Sequence, residues 1–227
     1  MKLTASQIAQ IEETLALNQV VFEDIKLELT DHIASDIEVV LSQEEIPFEE
    51  AMVIVFEKWS PQLRPSTSFW TPNNLRLPRI LLNKYIVEYK KQFVTGSIIA
   101  LVAAILLTLV TQSSHNNFFL ERLTVTLQTV YCVEIILIIS SKFVVWKSKI
   151  HTFNSFVFQK QTSILFLICT LIVPVVLVPN LLSEPLDFKL SLARFFMFLT
   201  YIVWFIMHLR LAINHFKFVQ SIKTSLK

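Results

Sequence analysis

Apolar residues recur at helical spacing through the first sixty positions and then merge into long continuous runs. In the first quarter Ile8, Ile11 and Leu15 share a helical face, with Thr4 or Ser6 placed to cap it. After a break near Asn18, Glu23 and Asp24 open a second helix, where acids suit the positive end of the helix dipole. Ile25, Leu29, Ile33, Ile37 and Val40 form its stripe at spacings of four and three. Pro47 fits the first turn of a third helix whose inner face is Phe48, Ala51 or Met52, Val55 and Trp59. Three such stripes predict a three-helix bundle over residues 1–60. A bundle of that size is near the lower limit for independent stability, so it is expected to dock on the rest of the chain or on a partner.

Residues 61–91 change the pattern. Pro61, Pro65, Pro72 and Pro78, with Ser, Thr and Asn between them, predict a semi-rigid linker. A short basic helix over 79–91 follows, lying along the lipid headgroups or running straight into the first span. Four apolar stretches come next, at about 93–111, 123–141, 162–179 and 190–209, each near the ~20 residues that cross a bilayer as a helix. They fill a membrane region over 92–212, and residues 213–227 read as a basic tail. The fold class is therefore all-α: an integral membrane four-helix bundle with a small N-terminal cytoplasmic three-helix domain.

Within the spans, Gly96, Ala100 and Ala104 repeat every four residues, a spacing that permits close helix approach inside the bundle or between protomers of a homo-oligomer. Two polar stripes stand out. Thr124, Tyr131, Glu134 and Ser141 share a broad face of the second span; Arg194, Tyr201 and His208 recur every seven residues in the fourth. Counted from the outer span ends, Glu134 is level with Tyr201, which makes a hydrogen bond between them the expectation, while Arg194 reaches outward to the headgroups. A lone acid near mid-membrane costs several kcal/mol unless paired or protonated, which makes Glu134 a functional candidate.

Charge adds orientation. Residues 1–60 hold thirteen Asp and Glu against three Lys, a net of −10; the remainder has 17 Lys and Arg against 5 acids, or +12. Lysines cluster before the first span, between the second and third, and after the fourth, whereas the other two loops are nearly neutral. That alternation places both termini in the cytoplasm. The N-terminus lacks the apolar core of a signal peptide, so nothing is expected to carry residues 1–60 across the membrane. Only one glycine is present, which excludes Gly-rich phosphate loops, and Cys132 and Cys169 lie in apolar runs, which speaks against a disulfide framework or a cysteine zinc site. No cofactor is expected.

The second helix carries a signature, Glu28-Leu-Thr-Asp-His-Ile-Ala-Ser-Asp-Ile-Glu38. With the Phe48-Glu-Glu-Ala51 start of the third helix, residues 6–60 resemble the HAAS-type helical domain of bacterial membrane proteins that accompany PadR-like regulators, and similar uncharacterised Bacteroidetes multi-pass proteins. Such domains usually carry glycine in the short first turn, where this chain reads Leu17-Asn-Gln-Val20. The resemblance implies a signalling or interaction module in the bacterial cytoplasmic (inner) membrane, without catalytic residues. Glu28, Asp31, His32 and Asp36 share helix faces, but one helix rarely completes a metal site, and no metal is expected there.

Two function classes remain in play. One is a non-catalytic signalling or interaction protein whose acidic domain recruits a protein partner; phosphate repulsion argues against nucleic acid. The alternative is a small transporter or channel component using Glu134. An enzyme is disfavoured, since the histidines lack ligand spacing and no nucleophile is visibly paired with a base. The opposite charges also suggest that residues 1–60 dock onto the chain's own basic collar, to be released by a partner or by anionic lipid.

Overall fold

The computed structural model describes residues 2–71, 76–114, 117–163 and 187–225. The chain is mostly helical, and it divides into two compact units, Met1–Glu88 with Lys149–Phe156, and Tyr89–Ser148 with Val157–Lys227.

The first unit is built on α1 (Ala5–Leu17), α2 (Glu23–Gln43) and α3 (Phe48–Leu63). Thr4 caps α1 in a reciprocal capping box with Gln7, satisfying two backbone donors that the first turn would otherwise leave open. Ile11 and Leu15 of α1, Ile25, Leu29, Ile33 and Ile37 of α2, and Phe48, Ala51 and Val55 of α3 form the core, each side chain at most 7% exposed. Val40 and Trp59, expected on the inner face, are only half-buried. Leu63 and Val20 fill the core instead.

The α1–α2 turn requires a left-handed residue, and Gln19 supplies it at φ 65°. A residue with a Cβ pays about 1 kcal/mol for that conformation, whereas glycine adopts it freely. Gln19→Gly is therefore expected to stabilise the bundle by about 0.5–1 kcal/mol. The check is slower global hydrogen exchange of α1 and α2 in the full chain; unchanged or faster exchange contradicts it.

The expected linker has its two ends together instead of apart. Pro61 lies inside α3, β1 (Pro65–Ser66) pairs antiparallel with β2 (Leu77–Pro78), and Arg79 N–H donates to the Arg64 carbonyl at 3.0 Å. Residues 64 and 79 are thus joined by a backbone hydrogen bond and are not held apart as the ends of a spacer would be. The physical reason is that Pro65 and Pro78 occupy the ends of a two-residue ribbon, where one fewer backbone donor is tolerated. The basic helix expected over 79–91 runs straight into the first apolar stretch as α4 (Arg79–Ser113). Leu77, Leu81, Leu82 and Tyr85 are buried in the first unit.

The second unit contains the rest of α4, α5 (Asn117–Lys147), the end of α6 (Phe153–Gln161) and α7 (Phe188–Ser225). Among the described residues three helices, α4, α5 and α7, are long and apolar enough to cross a membrane. They contain the expected spans 93–111, 123–141 and 190–209; the span expected at 162–179 lies almost wholly outside the described residues. Residues 213–225, expected as a tail, continue α7, because Leu211, Ala212 and His215 extend its buried face. Much of the apolar surface of α4 and α5 is exposed, including Ile98, Val102, Leu106, Val133, Ile136 and Leu137. Such a surface is far larger than a water-soluble monomer tolerates and suits an integral membrane protein.

Candidate functional site

Two constellations gather the polar residues, one in each unit. In the first unit, the N-terminus of α2 meets residues 149–156. Phe22, 5% exposed, packs edge-on against Phe153 and tilted against Phe156, with ring centroids 5.8 and 4.9 Å apart. Glu23 N–H donates to the His151 carbonyl at 2.9 Å, and the Asp24 carboxylate accepts from Phe153 N–H at 2.7 Å. Phe153 opens α6, so Asp24 caps that helix from 129 positions away in the chain. Thr152 and Ser155 complete the cap reciprocally, each side-chain oxygen accepting the other's N–H at 3.1 Å. Burial pushes the Asp24 carboxyl up from its ordinary value, opposed by the Phe153 amide and the nearby Lys84.

The signature residues take separate places. Glu28 forms an ion pair with Lys84 of α4 at 2.8 Å, both side chains about half exposed. Asp36 accepts from Trp59 Nε1 and from Lys58, each at 3.0 Å, tying α2 to α3. The Trp59 indole, ahead of the Lys58 ammonium, holds the Asp36 carboxyl below its usual range. The contribution of Asp36 to stability is thus present above the ordinary carboxylate pKa and lost as pH falls through the lowered one; Asp24 has the opposite sign, the folded form gaining as pH falls through its raised value. Asp31 and His32 are exposed. Among the described residues no three metal-capable side chains converge, and the four signature residues do not form a common site.

In the second unit, α5 and α7 pack along a shared face. Tyr131, 1% exposed, inserts between Phe198 and Phe205, with centroids 5.6 and 5.7 Å away. Those two rings flank Tyr201, so Tyr131 rather than Glu134 is level with it, a shift of about one helical turn from the expected register. The expected hydrogen bond between Glu134 and Tyr201 is not formed. Counting from span ends ignores side-chain size, and the tyrosine ring, seated between two phenylalanines, sets the register. Glu134 is buried on the same face as Tyr131 and Ile138, and its Oε2 has no hydrogen-bond partner among the described residues. His208 is buried, with Nδ1 against the Trp204 carbonyl. Tyr201, Arg194, Thr124 and Ser141 are half-buried.

The small-residue stripe is also placed. Gly96, Ala100 and Ala104, joined by Thr108, are the buried line of α4, and Gly96 lies against Trp204 and Met207 of α7 in the same chain. Sequence reasoning missed the Asp24 cap and the register of Tyr131. A Thr152-x-x-Ser155 spacing before an apolar run was the available signal for the first; aromatic residues seven apart at 198 and 205 were the signal for the second. Compared with known proteins, the chain matches no family model, no curated protein and no solved structure.

Proposed function

We propose that this chain is a non-catalytic multi-pass membrane protein whose acidic N-terminal bundle, a HAAS-type module, recruits a protein partner at the cytoplasmic face of a bacterial inner membrane. In this reading the membrane part is a four-helix bundle with both termini cytoplasmic. The observation that carries it is the uncompensated acid of the bundle. Of the thirteen carboxylates in residues 1–60, three are ion-paired among the described residues (Glu23, Glu28 and Asp36). Glu45, Glu49, Glu50 and Glu57 are exposed on and before α3. Self-repulsion of this kind opposes folding, and a basic protein surface relieves it while gaining on-rate by steering.

The test is photocrosslinking in cells from position 50 of the full chain. A reproducible protein adduct that weakens when Glu45, Glu49 and Glu57 are changed to lysine supports recruitment. No adduct beyond background, with the chain folded and membrane-extracted, sinks it.

One observation favours a second reading, a transporter or channel component: Glu134 leaves a buried carboxylate oxygen without a partner among the described residues. An unsatisfied buried polar group costs about 1–3 kcal/mol, a loss that selection tolerates most readily where the group works. Glu134→Leu is expected to raise the melting temperature of the detergent-solubilised protein, by roughly the equivalent of that cost. Under the transport reading Glu134→Gln also abolishes solute-dependent flux in vesicles, whereas under recruitment alone crosslinking from position 50 is unchanged. A lower melting temperature for Glu134→Leu would show that the carboxylate is satisfied and remove the motive for this reading.

A further inference from the structure

We propose that the second unit holds an anionic phospholipid in a groove at the lysine-rich end of α5. The groove has a volume of about 420 Å³ and is lined by Ile139, Lys142, Phe143, Trp146 and Gln159. Its walls are apolar and its charge is all of one sign. Ile139, Phe143 and Trp146 are 51, 54 and 72% exposed, large side chains that water would not leave uncovered. The Lys142 ammonium donates to the Thr162 carbonyl, which fixes it at the rim and leaves two N–H donors for a ligand. The Lys147 ammonium lies 4.3 Å from the centroid of the Phe143 ring. Neither lysine is in an ion pair among the described residues.

These features fit one kind of molecule. An acyl chain covers Ile139 and Phe143, the Trp146 indole sits at headgroup depth as aromatic residues do at a bilayer boundary, and a phosphate oxygen meets the Lys142 ammonium, with Lys147, held over the Phe143 ring, adding positive charge beside the groove. A zwitterionic lipid brings its own cation to that phosphate and gains less. An acidic peptide would satisfy the lysines but leave the apolar wall uncovered where acyl chains are in excess. The groove lies at the end of a helix read as crossing the bilayer, and the inference rests on that reading.

Native mass spectrometry of the full chain in mild detergent tests it, with phosphatidylglycerol and phosphatidylcholine of equal chain length added in equal amounts. The parent protein is expected to retain phosphatidylglycerol preferentially. The double variant Lys142→Gln, Lys147→Gln is expected to lose about thirtyfold of that preference, roughly fivefold per lysine. Lys147→Gln alone, which removes an ammonium lying over the Phe143 ring, loses about fivefold and guards against misfolding of the double variant. Changing Lys189, at the opposite end of α7, to glutamine is expected to leave the preference intact. An equal loss from the Lys189 change, or an unchanged preference in the double variant, overturns the site while leaving α5 as a span. A parent that carries neither lipid overturns the span reading as well.

Discussion

Phe22→Ala is expected to free residues 149–156 from the bundle, speeding their amide exchange roughly a hundredfold or more in the full chain. The magnitude follows from the geometry. A phenylalanine that is 5% exposed and packed on two further rings costs about 3–5 kcal/mol to truncate, and each 1.4 kcal/mol is about tenfold in the opening equilibrium. The Glu28–Lys84 ion pair, by contrast, is about half exposed at both ends and contributes less than about 1 kcal/mol. Lys84→Gln is therefore expected to change exchange in residues 149–156 by less than about fivefold. Opposite charge suggested docking, but burial of Phe22 and the Asp24 cap on α6 supply most of the holding energy. Protection of residues 25–37 should persist in Phe22→Ala, since Ile25, Leu29, Ile33 and Ile37 keep their core contacts. Unchanged protection of 149–156 would refute this account, and a larger effect from Lys84→Gln would restore the electrostatic one.

A second consequence concerns release. A partner or lipid that competes only for Lys84 removes the smaller term and leaves the bundle held at Phe22. A partner able to open this contact must offer apolar surface as well as positive charge.

The helical stripes were legible because burial alone sets them. Ile11, Leu15, Ile25, Leu29, Ile33 and Ile37 appear at helical spacing in the sequence and are all buried. Three apolar runs were legible for the same reason, since a bilayer demands length and apolarity together. What stayed hidden is chemistry between distant segments. The ribbon joining residues 65–66 to 77–78 is too short to leave an alternating pattern, so prolines suggested a spacer. The contact of Asp24 with Phe153 spans 129 positions and follows no period. The polar stripes of α5 and α7 were visible, but their relative height was not, because register depends on which rings interlock. Trp59 reads as apolar in a stripe, yet its Nε1 needs an acceptor, and Asp36 draws it to the edge of the core.

Gly96→Leu should weaken the packing of α4 on α7 by about 1–3 kcal/mol, the range for added carbons in a filled interior. A Cβ at position 96 would already lie 3.2 Å from Trp204 Cδ1 and Nε1 and 3.4 Å from Met207 Sδ. Alanine therefore needs Trp204 to give by a few tenths of an ångström, and Gly96→Ala is expected to cost less than about 1 kcal/mol. Leucine adds three further carbons, and the indole that meets them is itself constrained. Trp204 also stacks edge-on with Phe93, 5.9 Å between centroids, and its Nε1 has no hydrogen-bond partner among the described residues that could guide it to a new position. Thermal melting of the detergent-solubilised variants reads the order parent, then Gly96→Ala, then Gly96→Leu. Trp204→Ala should cost stability alone yet lessen the cost of Gly96→Leu, a coupling of about 0.5–3 kcal/mol in a double-mutant cycle. Additive effects would mean that the leucine is accommodated elsewhere, and that the small-residue stripe is not read by α7 of the same chain at this position. That cycle also separates the two uses of the stripe: coupling to Trp204 assigns Gly96 to intrachain packing, whereas a homo-oligomer built on the stripe would dissociate in Gly96→Leu with no coupling to Trp204.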